Sequence, residues 1–366
     1  MKKKKRVAII FGGKSAEHEI SIISAKNVID AIDKEKYEPV PIGIDKDGTW
    51  YLNDKSKFIL EGSNPKLAKI NKANIKVALV PTNNSNELVS ITDSKNKGKI
   101  DVAFPVLHGT YGEDGSIQGL LRMANIPYVG ADVLGSAVGM DKDVLKRLLR
   151  DAGIPTPRFE VFDKQTIKNT DFYKLTNRFG KTLFIKPANL GSSVGINKVD
   201  NKEGFEEAVK DAFKYDKKII IEEAIEGREI ECSVLGNEEP IASLPGEIVV
   251  NSGFYSYETK YLDGEVARLE VPAKLPKQTV KKIQECAVKT FKTLCCSGMA
   301  RVDFFLRNDN EILVNEINTI PGFTKISMYP KLMQASGISY SELIDRLIQL
   351  AIERFSKEQK LKTSFE

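Results

Sequence analysis

Apolar and polar positions along the first part of the chain form blocks typical of strands and helices. The apolar run 7–11 is followed by Gly12-Gly13 and then by apolar residues at helical spacing over 20–32. These blocks predict a buried strand, a tight turn and an amphipathic helix. Further strands are predicted at 40–44, 102–107 and 128–129. Strands that alternate with helices favour an α/β unit with a doubly wound parallel sheet.

The segment 52–99 interrupts this alternation. It is rich in Asn, Lys and Ser and holds one apolar island, 77–80. We therefore expect a decorated connection between strands rather than a part of the core, and its sequence indicates no function.

A second pattern begins after a predicted helix at 142–152. Gly153 is expected to end this helix in a left-handed cap, and Pro155 and Pro157 prevent its continuation. The pattern that follows is of α+β type. Its predicted strands are 183–186, 195–199, 219–223, 229–235, 301–306 and 311–318, and its helices are 204–213, 277–294 and 339–354.

Composition limits the class of protein. A chain of 366 residues with 41% hydrophobic content can form two or three domains that each bury a core. The chain has 55 Lys and Arg and 50 Asp and Glu, a net charge of +5. The run Lys2–Arg6 accounts for about this surplus, and we expect it to be a solvated leader. Because no basic stripe follows this run, binding to nucleic acid is not expected.

Apolar runs and cysteines favour a cytoplasmic protein. No run approaches the roughly 20 residues that span a bilayer, and 7–11 is too short for a signal peptide. The four cysteines form no CxxC or Cys/His cluster, so we expect reduced structural thiols and no zinc. The polar tail 359–366 is expected to be disordered.

Oxygen-bearing side chains are concentrated near the end of the second pattern. Strand alternation puts Glu316 and Asn318 on one face, with Asp303 of the string Arg301-Val302-Asp303 on the neighbouring strand. Carboxylate and amide oxygens are the ligands that Mg²⁺ prefers. An ordinary polar face of a sheet is the alternative interpretation.

A loop of small residues follows the predicted strand that ends at Lys186. In the loop 191–195, Gly-Ser-Ser-Val-Gly, backbone N–H groups can approach phosphate oxygens while Lys186 supplies positive charge. It is not a Walker P-loop, because no Gly-Lys-Ser/Thr opens a helix. A hairpin with a flexible tip remains the alternative.

Two further candidates lie at the ends of elements in the first unit. Glu19 begins a helix after a turn, where it can meet a substrate ammonium or simply stabilise the first helical turn. His108 ends a predicted strand, the position at which open α/β sheets bind ligands. The chain has two histidines, and neither belongs to a Ser/His/Asp order, so serine hydrolysis is disfavoured.

Taken together, eight strings resemble the D-alanine:D-alanine ligase family of the ATP-grasp superfamily, and their order is the persuasive part. They are GGKSAEHEIS, LHGTYGEDG, MDKDVLK, FIKPANLGSSVG, EGREIE, FYSYETKY, SGMARVDFF and NEINTIPGF, within a resemblance that runs from residue 7 to about 354. It implies a three-domain ATP-grasp architecture. The expected domains are an N-terminal α/β domain at 1–130, a central domain at 131–222 and a C-terminal domain at 223–358.

The resemblance also implies the site residues, in four groups. The catalytic residues are Glu19, Ser192, Tyr261, Arg301 and Gly322. The residues expected to bind the amino-acid substrates are His108, Lys260, Ser327 and Met328. Those expected to bind ATP are Lys142, Lys186, Ser193, Glu222, Glu223, Ile225 and Glu229. Two Mg²⁺ ions, replaceable by Mn²⁺, are expected on Asp303, Glu316 and Asn318.

The roles follow the same resemblance. Glu19 is expected to hold the ammonium of the first substrate and to form a hydrogen-bonded triad with Ser192 and Tyr261. Tyr261 ends the segment 252–261, which is expected to be a mobile lid. Arg301 and the Gly322 backbone are expected to stabilise a tetrahedral oxyanion, and Ser327 to receive the second substrate's carboxylate.

The implied reaction is the ATP-dependent joining of two D-alanine molecules through an acyl phosphate, by a homodimer formed through the first domain. D-Serine as second substrate is an alternative, but apolar Met328 favours a methyl group. Ester formation with D-lactate is disfavoured because 254–261 contains no histidine. A regulatory homologue without activity and another ATP-grasp ligase remain further alternatives. Lys325-Ile326 departs from some members of the family and leaves the second site's affinity open.

Overall fold

The computed structural model describes residues 3–53, 59–60, 69–70, 75–81, 86–191, 194–250, 267–308, 310–362 and 364. The helices are α1 (His18–Ala31), α2 (Ser116–Met123), α3 (Val133–Met140), α4 (Lys142–Asp151), α5 (Phe172–Phe179), α6 (Lys202–Ala212), α7 (Lys277–Thr293), α8 (Met328–Ala335) and α9 (Tyr340–Glu358), with a 3₁₀ turn at Thr166–Asn169. No helix in these ranges is long and apolar enough to cross a membrane.

The strands belong to three large sheets and one two-stranded pair. They are β1 (Lys5–Gly12), β2 (Tyr37–Ile44), β3 (Trp50–Leu52), β4 (Ile59–Leu60), β5 (Lys69–Ile70), β6 (Ile75–Pro81), β7 (Asn86–Ser90), β8 (Asn96–Lys99), β9 (Val102–Pro105), β10 (Phe159–Asp163), β11 (Leu183–Pro187), β12 (Asn197–Val199), β13 (Lys218–Glu223), β14 (Arg228–Gly236), β15 (Ile241–Ala242), β16 (Gly246–Val250), β17 (Ala267–Glu270), β18 (Gly298–Arg307) and β19 (Glu311–Asn318). The predicted mixture of α/β and α+β structure is confirmed.

The first sheet has the order β8-β7-β6-β3-β2-β1-β9. Its strands β2, β1 and β9 are parallel, and a parallel bridge joins Ala103 to Tyr128, as predicted for the short fourth strand. Alternate residues of β1 enter different cores, since successive side chains of a strand point to opposite faces. Val7 and Ile9 pack with α1 and α9, whereas Ala8 and Ile10 pack with α2.

The interpretation of 52–99 as a connection outside the core was wrong for Ile70, which is buried in the same core as Val7 and Ile9, and for the strands of 75–99. Strands β6, β7 and β8 continue the first sheet in antiparallel order, so that this sheet is parallel only around β1. Val77 and Leu88 are buried in the sheet's core. The Asn- and Lys-rich composition hid these strands because only one of their faces is covered.

The second sheet is antiparallel, in the order β10-β13-β11-β12. Helices α5 and α6 cover one of its faces, where Phe172 and Phe205 pack on Leu183, Ile185 and Ile221. Every second residue of β11 and β13 is therefore buried under helices, and the residues between them face the opposite way.

The third sheet has the order β17-β16-β14-β18-β19, with β15 paired to β14. Helices α4 and α7 cover one face, where Leu145 and Phe291 pack against Ile230, Val302 and Phe304. The four cysteines are free thiols, and Cys295 is exposed while Cys232 and Cys296 are buried.

The last helix returns to the first sheet. Leu343, Ile344 and Leu347 of α9 share a core with Val7 and Ile9 of β1. The guanidinium of Arg354 donates to the carbonyl oxygens of Gly130 at 2.6 Å and Tyr128 at 2.9 Å. The beginning and the end of the chain are thus joined in one packed unit.

Candidate active site

The polar faces of the second and third sheets line a common cleft. On β11 and β13, Lys186 and Glu222 alternate with the core residues Ile185 and Ile221. On the third sheet, the register pairs Glu231 with Asp303 and Asp303 with Glu316. Paired residues of adjacent strands share a face, so these charged side chains all point away from the helices. Residues lining the cleft include Lys142, Lys186, Glu222, Glu223, Ile225, Glu229, Glu231, Arg301, Asp303 and Glu316.

A buried carboxylate lies between two lysines on the second-sheet side of the cleft. Lys186 Nζ is 2.7 Å from Glu222 Oε2, and Lys146 Nζ is 3.1 Å from Glu222 Oε1. Burial opposes ionisation of Glu222, but the charges of Lys146 and Lys186 outweigh it and lower its pKa to about 2. The carboxylate is therefore ionised, and it holds Lys186 in place at the wall of the cleft.

Lys142 connects the two sheets at the start of α4. Its Nζ donates to the carbonyl oxygen of Leu190 at 2.8 Å and lies 3.4 Å from Glu316 Oε2. Asp141 caps the helix by accepting from the backbone N–H groups of Asp143 and Val144. The cap fixes where the helix begins and thereby directs the Lys142 side chain into the cleft.

Arg301 is buried in a network of acids on the third sheet. Its guanidinium donates to Asp303 at 2.7 and 2.6 Å and lies 3.0 Å from Glu231 Oε2. Burial disfavours the charge, but Asp303 and Glu231 more than compensate, so the pKa of Arg301 lies well above its ordinary value. A cation is thus held rigidly where the cleft meets the turn that follows β19.

The predicted metal ligands lie on one face, at neighbouring positions. Asp303 is paired with Glu316 and Arg301 with Asn318 in the register of β18 and β19, and Asn318 Nδ2 donates to Asp303 Oδ2 at 2.9 Å. Among the described residues, no group of three or more His, Cys, Asp or Glu side chains is placed to hold a metal. Two carboxylates and an amide oxygen nevertheless form a donor set that suits Mg²⁺, which also takes phosphate oxygens and water.

A second group of predicted residues lies at the ends of elements in the first unit. Glu19, in the first turn of α1, forms an ion pair with Lys46, whose Nζ lies 2.7 Å from Oε1. Both side chains keep exposed surface, 29% for Glu19 and 63% for Lys46. Another ammonium group can therefore compete with Lys46 for this carboxylate.

Gly322 and Ser327 lie together in the turn after β19. A Cβ atom on residue 322 would be 2.7 Å from Ser327 Oγ, so only glycine lets this hydroxyl approach the backbone so closely. Ser327 Oγ accepts from the backbone N–H of Thr324 at 3.0 Å. Met328 is buried against Ile248 and Leu332, beside this turn.

The predicted residues thus form two neighbouring groups. Nine of them line the cleft, and Asn318 contacts one of the nine, whereas Glu19, His108, Gly322, Ser327 and Met328 belong to the second region. Ser192, Ser193, Lys260 and Tyr261, together with the lid 252–261, lie outside the described residues.

Lys146, Glu231 and Glu113 were not predicted from the sequence as residues of the site. Lys146 lies one helical turn after Lys142, and its burial could have been suspected from the apolar positions around it. Glu231 alternates with the core residues Ile230 and Cys232 and so shares the face of Asp303. Glu113 accepts from the nearby Gly109 N–H and from the Ile320 N–H, which is 207 residues away, and no local pattern indicates the second contact.

Two sheets that face one another across a cleft of lysines and acids are the arrangement of the ATP-grasp fold. Residues 6–131 match the family model described as "D-ala D-ala ligase N-terminus", and 148–349 match "D-ala D-ala ligase C-terminus". The chain therefore belongs to the D-alanine–D-alanine ligase family.

Individual relatives agree over the full length. The D-alanine–D-alanine ligases of Oceanobacillus iheyensis and Shouchella clausii are 55% and 53% identical, over 99% of this chain and 99% and 98% of theirs.

Solved structures of ligases resemble the fold. The D-alanine-D-alanine ligase of Coxiella burnetii has a TM-score of 0.83 at 40% identity, over 98% of both chains. The VanG D-Ala:D-Ser ligase of Enterococcus faecalis has a TM-score of 0.84 at 38% identity, over 95% of this chain and all of that one. The Bacillus anthracis D-alanine–D-alanine ligase complexed with ATP has a TM-score of 0.73 at 30% identity, over 97% and 99%.

Proposed function

We propose that this chain joins two D-alanine molecules into D-alanyl-D-alanine with the consumption of ATP, in the cytoplasm, as a step in peptidoglycan precursor synthesis. The observation that carries the proposal is the cleft in which Lys142 and Lys186 face Asp303 and Glu316 beside Arg301. The two lysines supply positive charge, the two carboxylates supply hard oxygen donors, and Arg301 is a buried cation beside them. The high identity to ligases over the whole chain supports the same reaction.

At the phosphate end, the residues of the cleft spread the charge of a transferring phosphoryl group. Lys186 faces the cleft with its position fixed by Glu222, and Lys142 can turn from Glu316 toward a phosphate oxygen. A carboxylate of D-alanine then attacks the terminal phosphorus and becomes an acyl phosphate, while the bond from that phosphorus to the bridging oxygen breaks and ADP leaves. Phosphate leaves in turn when the second amine has attacked the acyl carbon. The remaining proposed ATP residues are Ser193, Glu222, Glu223, Ile225 and Glu229.

Asp303, Glu316 and Asn318 would hold Mg²⁺, which neutralises phosphate charge and orients the oxygens when it is bound. Their present partners are compatible with this role. Asp303 lies beside Arg301 and Glu316 beside Lys142, so each of the two carboxylates already faces a cation.

At the amino-acid end, Glu19 binds the ammonium of the first D-alanine in place of Lys46. The Arg301 guanidinium and the Gly322 N–H stabilise the oxyanion that forms when the second amine attacks the acyl carbon. Ser327 and His108 belong to the second substrate's side of the site. Lys260 is proposed to line the same side of the site, and Ser192 and Tyr261 to close the site against water together with Glu19.

The predicted division into domains at 1–130, 131–222 and 223–358 remains a proposal. So does the homodimer, which would be formed through the first domain. Helix α2 exposes Leu120 and Met123, at 42% and 80%, and these apolar side chains support an interface there.

D-Serine as second substrate is the second candidate, supported by the likeness to a D-Ala:D-Ser ligase. Met328, which lies among Ile248 and Leu332, favours the methyl group of D-alanine over a hydroxyl.

The test measures phosphate release from ATP and Mg²⁺ with D-alanine alone, then with added D-serine or D-lactate, and identifies the products by mass. Release with D-alanine alone and a D-alanyl-D-alanine product is expected. ATP binding without release for any of these substrates would contradict the ligase function.

The Glu316→Gln variant tests the proposed metal site. Turnover should fall by at least about 1000-fold, since one ligand carboxylate becomes a neutral amide, while the folded structure is kept. Titration of Mg²⁺ at saturating ATP measures the effect. Unchanged turnover and unchanged Mg²⁺ dependence would remove Glu316 from the site.

A further inference from the structure

Backbone groups of residues 320–323 are bound from both sides by residues distant in sequence. Ile320 and Phe323 are buried, at 1% and 0% exposure, and between them Gly322 is partly exposed. The Gly322 N–H donates to none of the residues that the structure describes. Within the described part of the chain nothing occupies this N–H, and its direction depends on how the two flanking residues are held.

The Ile320 side is fixed by Glu113 and His108. The Ile320 N–H donates to Glu113 Oε1 at 3.0 Å, and the other oxygen of Glu113 accepts from the Gly109 N–H at 2.8 Å. The Ile320 carbonyl lies 2.9 Å from His108 Nδ1. Because a carbonyl oxygen can only accept, Nδ1 carries the proton in this contact.

The Phe323 side is fixed by Ser24 of α1. The Phe323 N–H donates to Ser24 Oγ at 3.3 Å, and Ser24 Oγ lies 3.2 Å from His108 Nε2. With the proton on Nδ1, a neutral His108 accepts the Ser24 hydroxyl at Nε2. The hydrogen bonds therefore run in one direction, from Phe323 through Ser24 and His108 back to Ile320.

We propose that Ser24 and Glu113 are positioning residues, which together with His108 hold residues 320–323 so that the Gly322 N–H meets the oxyanion. This inference rests on the proposed function. It gives His108 a defined contribution, because both ring nitrogens are occupied by this network and the side chain is 4% exposed. An oxyanion donor acts only when it is fixed at hydrogen-bonding distance from the developing charge.

The network should affect the second chemical step more than the first. Acyl phosphate formation needs the lysines of the cleft, whereas attack by the second amine creates the oxyanion. A displaced Gly322 N–H slows that attack, and the waiting acyl phosphate is lost to water. The expected signature is less than one dipeptide formed for each phosphate released.

The experiment compares Ser24→Ala with Ser243→Ala in the full chain. Ser243 is a matched control, because it is also a buried serine that accepts from a backbone N–H, that of Ser233 at 2.9 Å, and its hydroxyl donates to the carbonyl oxygen of Leu244 rather than to the turn. Phosphate and dipeptide are measured in the same samples, and thermal unfolding is followed for both variants. Ser24→Ala is expected to lower kcat at least about 10-fold and to lower the dipeptide-to-phosphate ratio below one. Ser243→Ala should keep the wild-type ratio.

Glu113→Gln provides an independent variant. It retains the size of the side chain, but its amide nitrogen faces one of two backbone N–H donors, and the ratio should fall in the same direction. The inference would be overturned if Ser24→Ala and Glu113→Gln each formed one dipeptide for each phosphate released. It would also be overturned if Ser24→Ala and Ser243→Ala lost the same share of kcat while the dipeptide-to-phosphate ratio stayed at one. A wild-type protein that makes no dipeptide would instead contradict the proposed function, and the inference with it.

Discussion

Glu222 and Glu113 are two glutamates removed from water in different parts of the site, and the surrounding protein shifts the pKa values of their carboxyl groups in opposite directions. Glu222 lies between Lys146 and Lys186, and its pKa is lowered to about 2. Glu113 keeps some exposed surface, but surrounding protein desolvates its carboxyl, and this desolvation with the charge of Glu17 raises its pKa to about 8. Glu113 accepts two backbone hydrogen bonds. At Glu113 the two hydrogen bonds do not offset desolvation and the charge of Glu17, whereas at Glu222 the two adjacent cations do offset desolvation.

Glu222→Gln should produce the largest change in stability. It leaves Lys146 buried without a counter-charge, and loss of one partner of a buried ion pair costs about 3–5 kcal/mol. Chemical denaturation at pH 7 measures this loss. Addition of Lys146→Met should recover a part of it, because the unpaired charge is then removed. Strictly additive losses in the double variant would show that the two side chains do not interact.

The acid dependence of stability tests the same carboxylate in the wild type. The folded-state pKa of Glu222 is below its ordinary value of 4.5, so its contribution is complete above about pH 4.5 and is lost as pH falls toward 2. The shift corresponds to about 3 kcal/mol. The difference in unfolding free energy between wild type and Glu222→Gln should therefore shrink between pH 5.5 and pH 3. A constant difference would contradict the low pKa.

For Glu113 the dependence has the opposite sign. Its folded-state pKa is raised to about 8, so it favours the folded state at low pH and this contribution is lost as pH rises from about 4.5 through 8. Glu113→Gln should cost about 1 kcal/mol at pH 5, because one backbone N–H loses its acceptor. By pH 9 the variant should be the more stable of the two proteins, because the wild type has then lost a contribution larger than this cost. Denaturation of both proteins at the two pH values measures this, and a gap that is equal at both would refute the raised pKa.

The exposed ion pair between Lys46 and Glu19 is expected to contribute least to the free energy of unfolding. Lys46→Met should change the unfolding free energy by less than about 1 kcal/mol, because water screens the pair with Glu19. The KM for D-alanine should fall by about twofold, since Lys46 no longer competes for Glu19. Lys26→Met is the matched control, because Lys26 forms an exposed pair with Asp30 on the same helix. An equal change of KM in both variants would contradict the competition.

The cleft could be predicted largely from sequence because strand alternation is a local property. The side chains of Asp303 and Glu316 share a face in a register that their spacing already suggested. The strands of 75–99 were not predicted, since a polar, half-covered strand has little apolar signal.

Charge states and backbone contacts could not be predicted in the same way. Nothing near Glu113 in sequence indicates that Ile320 donates to it, and Glu222 reads like any strand glutamate until Lys146 is placed beside it. Such properties depend on long-range packing, which a single sequence does not specify.

The return of α9 to the first sheet affects the way the protein emerges from the ribosome. One face of β1 is covered by α1 and completed by Leu343, Ile344 and Leu347, so the part of this face that α1 leaves open stays uncovered while the chain grows from Val102 to Tyr340. At about 5–20 residues per second, this takes at least about ten seconds. During that interval the nascent first sheet displays an apolar surface to chaperones, and a stop codon before α9 would leave it exposed permanently.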